Sequence, residues 1–156
     1  GYRSSHDCQM FAVPHCLCRV NPENTELHLF STASNDAFAS VAYLVCRYQD
    51  SSPSSCLIAS KSRVSPVKAM AISRLELMGA VLSSILAQNI LKVITVDKIT
   101  FWTDSENVWY WLRNQRCKFK PFVANRIGKI QQMTSPEQWQ HLTQQTCGQG
   151  DFLLWP

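Results

Sequence analysis

The first half of the chain carries three stretches whose hydrophobic and polar positions predict β-strands. Residues 26–33 alternate between apolar and polar, residues 37–47 are longer and almost wholly apolar, and residues 56–62 return to a strand-like pattern. Polar turn residues separate them, at 34–36 and again at 49–55. Because short turns join neighbouring antiparallel strands, we predict three consecutive antiparallel strands before any helix.

A helical pattern follows, and it is predicted to begin at Ser73 and to end near Val93. Apolar residues recur at three and four positions from 75 to 86. A second face holds only small residues, namely Gly79, Ala80, Ser83 and Ala87. Small side chains let a helix approach a sheet closely, which would bring Glu76 beside the sheet. Ser73 and Glu76 also have capping-box spacing, so a structural role and a functional role both stay open for Glu76.

The stretch from Lys98 to Leu112 predicts a strand that passes directly into a helix. Alternation continues to Thr103, and Ser105 is placed to cap the helix that follows. Asp104 lies between the two, where open α/β sheets collect functional residues because strand ends converge on a crevice. A negative charge there also complements the helix dipole, so both interpretations of Asp104 remain open.

The last part of the chain predicts one more helix and one more strand. Pro121 is typical of a first helical position, and Val123, Ile127 and Ile130 would face inward. Residues 137–142 alternate and are predicted to be the final strand.

The predicted element order is therefore β-β-β-α-β-α-α-β. It indicates an α/β fold in which a mixed sheet of about five strands, the first three antiparallel, is flanked by helices. We expect a lead-in at 1–25, the domain at 26–142, and an altered or truncated tail at 143–156.

Composition indicates a single folded domain. The 156 residues are 46% hydrophobic and 17% charged, which is typical of a chain with a real core. No apolar run approaches the ~20 residues that a membrane span needs, so no membrane partner is expected. Seven cysteines, an odd number, predict reduced thiols in the cytoplasm or nucleus. Cys-x-Cys at 16–18 lacks a second matched pair and is a weak zinc signal.

Basic charge is segregated within a net charge of only +4. The acid-free stretches 51–75 and 107–136 hold most of it, interleaved in the second stretch with aromatic residues. Such a surface fits a phosphate backbone, although an ordinary solvated basic face fits equally well. The candidate nucleic-acid-binding residues are Lys61, Arg63, Arg113, Arg116, Lys118, Lys120 and Arg126.

Six short sequence segments, in this order, resemble those of a known family. They are E-L-H-L-F-S-T-A-S at 26–34, A-S-K-S-R-V-S-P-V-K at 59–68, I-S-R-L-E-L at 72–77, F-W-T-D-S at 101–105, F-V-A-N-R at 122–126 and P-E-Q-W at 136–139. Together they resemble the ribonuclease H segment of Pao/BEL retrotransposon polyproteins over about three-quarters of the chain. Several long segments in the right order are a specific signal, and the resemblance implies a ribonuclease H-like fold.

The resemblance also implies an activity, which is cleavage of the RNA strand of an RNA/DNA hybrid by two Mg²⁺ or Mn²⁺ ions held by four carboxylates. Carried over position by position, two of these fall on Glu76 and Asp104. The first-strand aspartate of the family falls on Thr32. For the fourth carboxylate, either Asp151 is a displaced substitute or a deletion has removed it. Two carboxylates cannot balance two divalent ions, so metal binding is expected to be weak or absent.

Several functions stay open at this point. The favoured one is a catalytically silent relic that keeps the fold and binds an RNA/DNA hybrid or another nucleic acid. A weakly active divalent-metal nuclease, rescued by Asp151 or Asp36, is an alternative. Another is a recruited protein-interaction module that uses residues 109–111 or the apolar tail at 152–155. A truncated end could also leave the domain marginally stable and without a function of its own.

Overall fold

Five strands and three helices make up the described part of a computed structural model, which covers residues 22–114 and 118–143. Their order matches the predicted β-β-β-α-β-α-α-β, with a short 3₁₀ turn at Pro136–Gln138 before the last strand. The elements are β1 Asn24–Ala33, β2 Ala37–Arg47, β3 Ser54–Val64, α1 Ile72–Leu91, β4 Lys98–Thr103, α2 Glu106–Arg113, α3 Pro121–Met133 and β5 Trp139–His141.

The strands form one mixed sheet in the order β3-β2-β1-β4-β5. β2 pairs antiparallel with both β1 and β3, whereas β4 runs parallel to both β1 and β5. The predicted mixed sheet, with its first three strands antiparallel, is therefore confirmed. Because β1 and β4 are parallel neighbours, their carboxyl ends lie at the same edge of the sheet.

The predicted capping box at the start of α1 is wrong. The helix begins at Ile72, and its N-cap residue Ala71 makes no side-chain capping bond. Glu76 consequently lies beyond the first turn, where the backbone N–H groups already have partners within the helix. Its carboxylate is available for a contact outside the helix.

The small face of α1 packs directly on β1 and β2, as its residues predict. A Cβ atom at Gly79 would lie 3.2 Å from the backbone oxygen of Thr32, a tight contact that a side chain could occupy only if helix and strand shifted by a few tenths of an ångström. Further along the same face, the hydroxyls of Ser83 and Ser40 are 2.6 Å apart and hydrogen-bonded. These contacts fix the height of α1 above the carboxyl end of β1.

The helices and the sheet share a large hydrophobic core, beside which Phe38, Leu75 and Leu82 form a smaller cluster. The side chains of Val123, Ile127 and Ile130 on α3 are buried, as predicted. Trp139 on β5 is fully buried, stacks on Phe101 at 4.7 Å between ring centroids, and donates its indole N–H to the hydroxyl of Thr134. The stacking attaches the short last strand to β4, and the bond to Thr134 joins it to the end of α3.

The opposite face of the sheet carries a buried polar network. The indole N–H of Trp102 donates to Nδ1 of His28, so the imidazole proton lies on Nε2, which is 3.0 Å from Oε2 of Glu26. Burial lowers the pKa of His28. Although burial acts to raise the pKa of Glu26, the hydrogen bond from His28 and the charge of Arg47 hold it below its ordinary value. A neutral imidazole beside a carboxylate therefore satisfies this network.

The cysteine prediction needs a correction. Cys46 is disulfide-bonded, whereas Cys56 is a free thiol. A sequence with scattered cysteines does not determine which of them approach each other, because pairing depends on Cα separation in the fold. The other five cysteines, including the pair at 16–18, lie outside the described residues.

Within the described ranges, the helices are too short or too polar to cross a bilayer.

Candidate active site

The carboxyl ends of β1 and β4 form one edge of the sheet. Ser31 lies opposite Thr103 in the last parallel pair, and the Ser31 hydroxyl donates to the backbone oxygen of Trp102 at 3.3 Å. Thr32 and Asp104 follow these paired residues directly, and both are exposed. The register therefore places Thr32 and Asp104 at the same end of two neighbouring strands.

α1 brings Glu76 to this edge. Gly79, one helical turn after Glu76, lies against the backbone of Thr32. Oε2 of Glu76 accepts a hydrogen bond of 2.6 Å from the hydroxyl of Ser105, the residue after Asp104. The structure thus brings three positions predicted from the sequence, Thr32, Glu76 and Asp104, to a single notch.

Ser105 is fixed by several hydrogen bonds at once. Its hydroxyl accepts from the backbone N–H of Val108 and so caps α2, as predicted from the sequence. Its own N–H donates to the hydroxyl of Thr103. The bond to Glu76 was not predicted, because the two residues are 29 positions apart and nothing in the local pattern relates them.

His141 is a second neighbour of the notch that the sequence did not indicate. Its Nε2 lies 3.3 Å from the backbone oxygen of Asp104, and its ring lies against Trp109. The backbone N–H of Leu142 also donates to Thr103. β5 therefore supports the backbone on which Asp104 is presented.

The described residues do not fit a cage for two divalent ions. No group of three or more His, Cys, Asp or Glu side chains in residues 22–114 and 118–143 is arranged to hold a metal. Asp36 is exposed in the β1–β2 turn, and Asp151 lies outside the described residues. The donor chemistry of Glu76 and Asp104 does fit one hydrated Mg²⁺ or Mn²⁺ ion, because such ions bind one or two carboxylates and keep several waters.

The basic residues predicted to bind nucleic acid fall into two groups. Lys61 and Arg63 are on β3, an edge strand of the described sheet. The second group lies on the side of the helices, where α2 contacts β5, the other outer strand of the described sheet. It consists of Arg113 on α2 and the exposed Lys118 and Lys120 before α3. Arg116 lies outside the described residues. The two groups do not form one continuous stripe among the described residues.

Much of the Arg126 guanidinium is used in packing, as is that of Arg113, which donates to the backbone oxygen of Trp139. The Cζ of Arg126 lies 3.6 Å from the ring centroid of Phe122, and its Nε donates to the sulfur of Met78 on α1. Arg74 approaches the same ring at 4.8 Å. Arg126 therefore links α3 to α1, and a phosphate contact at this position stays a prediction.

The aromatic residues of α2 are only partly available for a protein partner. Tyr110 is 57% exposed, whereas Trp109 and Trp111 are half-buried. The guanidinium of Arg113 covers the Trp109 ring at 4.6 Å. Residues 152–155, which the interaction hypothesis also uses, lie outside the described residues.

Comparison with known proteins gives a family match over most of the chain. The model of the Pao retrotransposon-like RNaseH-like domain matches residues 2–105, about two-thirds of the sequence. A search of curated proteins found no match.

The chain also resembles solved structures at low sequence identity. RNase H1 from the halophilic archaeon Halobacterium salinarum NRC-1 is 12% identical over 81% of this chain and 91% of that chain, with a TM-score of 0.48. The N-terminal RNase H domain of a Mycobacterium tuberculosis protein, fused to maltose binding protein, is 11% identical over 81% and 92%, with a TM-score of 0.49. LC11-RNase H1 in complex with RNA/DNA hybrid is 10% identical over 81% and 91%, with a TM-score of 0.44. Similarity at this level supports no comparison of function.

Proposed function

The chain belongs to the Pao retrotransposon-like RNaseH-like domain family, and we propose that it is a retroelement-derived domain that binds nucleic acid but no longer cleaves RNA in RNA/DNA hybrids. The observation that carries the proposal is that the exposed residue Thr32 lies at the end of β1, next to the end of β4 where Asp104 follows. Glu76 reaches the same place from α1 through its bond to Ser105. A neutral side chain stands where a two-ion site needs an anion.

Electrostatics explains why this loss matters. Two divalent ions bring four positive charges, and the Glu76 and Asp104 carboxylates supply two negative ones. Each missing contact between unit charges corresponds to roughly 4 kcal/mol at ~4 Å and an effective dielectric constant near 20. A threonine hydroxyl is a poor replacement, because hard cations prefer carboxylate oxygens. Tight binding of two ions is therefore not expected.

Binding of nucleic acid does not depend on that cage. Lysine and arginine side chains contact phosphates regardless of base sequence, and the release of counterions drives the association. Lys118 and Lys120 are exposed on the helical side of the domain, and Arg63 is exposed on β3. An RNA/DNA hybrid also offers 2′-hydroxyl groups that distinguish it from duplex DNA. We therefore propose a hybrid, or another nucleic acid with RNA character, as the partner.

A salt titration of hybrid binding tests this proposal. For about four phosphate contacts, affinity should fall on the order of 100-fold between 50 and 200 mM salt. Lys120→Ala should reduce the slope of log affinity against log salt by about one, because one phosphate contact is lost. The matched control is Lys92→Ala, which removes another exposed lysine outside both basic stretches and should leave the slope unchanged. Salt-insensitive binding, or equal effects of both variants, would contradict phosphate-driven recognition.

A further inference from the structure

The hydroxyl of Ser105 joins a predicted metal ligand to the start of a helix. Ser105 is 4% exposed, and its hydroxyl donates to Oε2 of Glu76 at 2.6 Å. The same oxygen accepts the backbone N–H of Val108 at 3.3 Å. A hydroxyl has one hydrogen to donate, so Ser105 donates its hydrogen bond to the carboxylate and accepts the helix N–H through an oxygen lone pair.

This arrangement fixes one carboxylate oxygen of Glu76 and leaves the other available. Within the described part of the chain, Oε1 of Glu76 accepts no hydrogen bond. A glutamate side chain has several rotatable bonds, and holding Oε2 in place reduces the conformational freedom that must be lost when Oε1 binds a cation. Hydrogen bonds that orient a ligand in this way change metal affinity by 10- to 100-fold in characterised metal sites.

We infer that Ser105 is a positioning residue that orients Glu76 toward a single divalent cation shared with Asp104. The inference rests on the proposed function, which assigns Glu76 and Asp104 to the former metal edge. Ser105 follows Asp104 directly, so one short segment both presents a carboxylate and orients the other. A residue that only capped α2 would affect the stability of the helix and leave metal affinity unchanged.

Three substitutions separate positioning from capping. Ser105→Ala removes the hydroxyl and the cap. Ser105→Gly removes the hydroxyl but keeps a residue that is well tolerated at helix N-caps, and Ser105→Thr keeps both functions. The probe is Mn²⁺ alone, titrated into the whole chain and followed by the electron paramagnetic resonance signal of free Mn²⁺. Each variant is made in the parent chain and in a Thr32→Asp background, which supplies a third carboxylate, and thermal unfolding is recorded in parallel.

Ser105→Ala and Ser105→Gly should each weaken Mn²⁺ binding on the order of tenfold, although Ser105→Gly should unfold closer to its parent. Ser105→Thr should restore Mn²⁺ affinity to within about twofold of the serine chain. If Ser105→Gly bound Mn²⁺ as well as its parent, or if affinity followed stability alone, the positioning role would be overturned.

The proposed function fails separately from this inference. Absence of Mn²⁺ binding in every chain, including Thr32→Asp, would overturn the positioning role together with the assignment of the edge. Salt-dependent hybrid binding would be unaffected by that result. Tight Mn²⁺ binding that does not respond to Ser105 substitution would overturn this inference alone.

Discussion

Thr32→Asp is expected to raise the affinity for Mn²⁺ about 30- to 100-fold. The new carboxylate would lie at the end of β1 beside Asp104, at the edge that Glu76 also reaches. The Coulomb attraction of about 4 kcal/mol per unit charge at ~4 Å is an upper limit, because Thr32 is exposed and solvent screens it. A net gain of about 2 to 2.7 kcal/mol remains, which corresponds to the expected 30- to 100-fold change in affinity.

Asn35→Asp is the matched control for this gain. Asn35 is exposed in the turn three residues further along, so the substitution adds the same charge away from the notch. Isothermal titration with Mn²⁺ should show little change for this variant. Equal gains from both substitutions would mean that net charge, and not the geometry of the edge, determines binding. No gain from Thr32→Asp would show that Thr32 does not occupy a ligand position.

Gly79→Val is expected to destabilise the domain by about 1 to 3 kcal/mol, which is the typical cost of overpacking a close interface. A Cβ atom at this position meets the Thr32 backbone oxygen at 3.2 Å, and the two further methyl groups of valine have no room between helix and sheet. Displacing α1 would also move Glu76, which lies one turn away, from the hydroxyl of Ser105. Urea unfolding measures the loss as a lower midpoint.

Gly79→Ala provides the graded comparison. Alanine adds only the Cβ atom and gains up to about 1 kcal/mol of helix propensity over glycine, so it should cost much less than valine. If valine were tolerated as well as alanine, α1 would not be held against β1 in the way described, and the position of Glu76 would lose its support.

Local patterns predict most of the sheet in this protein. The alternation from Lys98 and the turn at 34–36 identify β4 and the β1–β2 hairpin, because both signals arise within a few residues. The capping-box spacing of Ser73 and Glu76 gave a wrong prediction for the start of α1, because the helix begins one residue earlier, at Ile72. A pattern of residue types does not determine which residue of an extended lead-in takes the first helical conformation.

Contacts between distant parts of the chain are what the sequence could not predict. The bond from Ser105 to Glu76 and the bond from Trp102 to His28 join residues 29 and 74 positions apart. Each depends on the parallel pairing of β1 with β4 and on the height of α1 above the sheet. The family resemblance identified Glu76 and Asp104 as candidate ligands, whereas the contacts that surround them depend on the three-dimensional fold.

Incubation of the chain with a labelled RNA/DNA hybrid, in Mg²⁺ and then in Mn²⁺, tests the central claim most directly. Glu76→Gln is the reference, because its amide oxygen can still accept the hydrogen bond from Ser105 while the negative charge is lost. We expect the parent chain to bind the hybrid at low salt and to cleave the RNA strand no faster than Glu76→Gln does. Cleavage by the parent chain that Glu76→Gln abolishes would contradict the loss of two-ion hydrolysis.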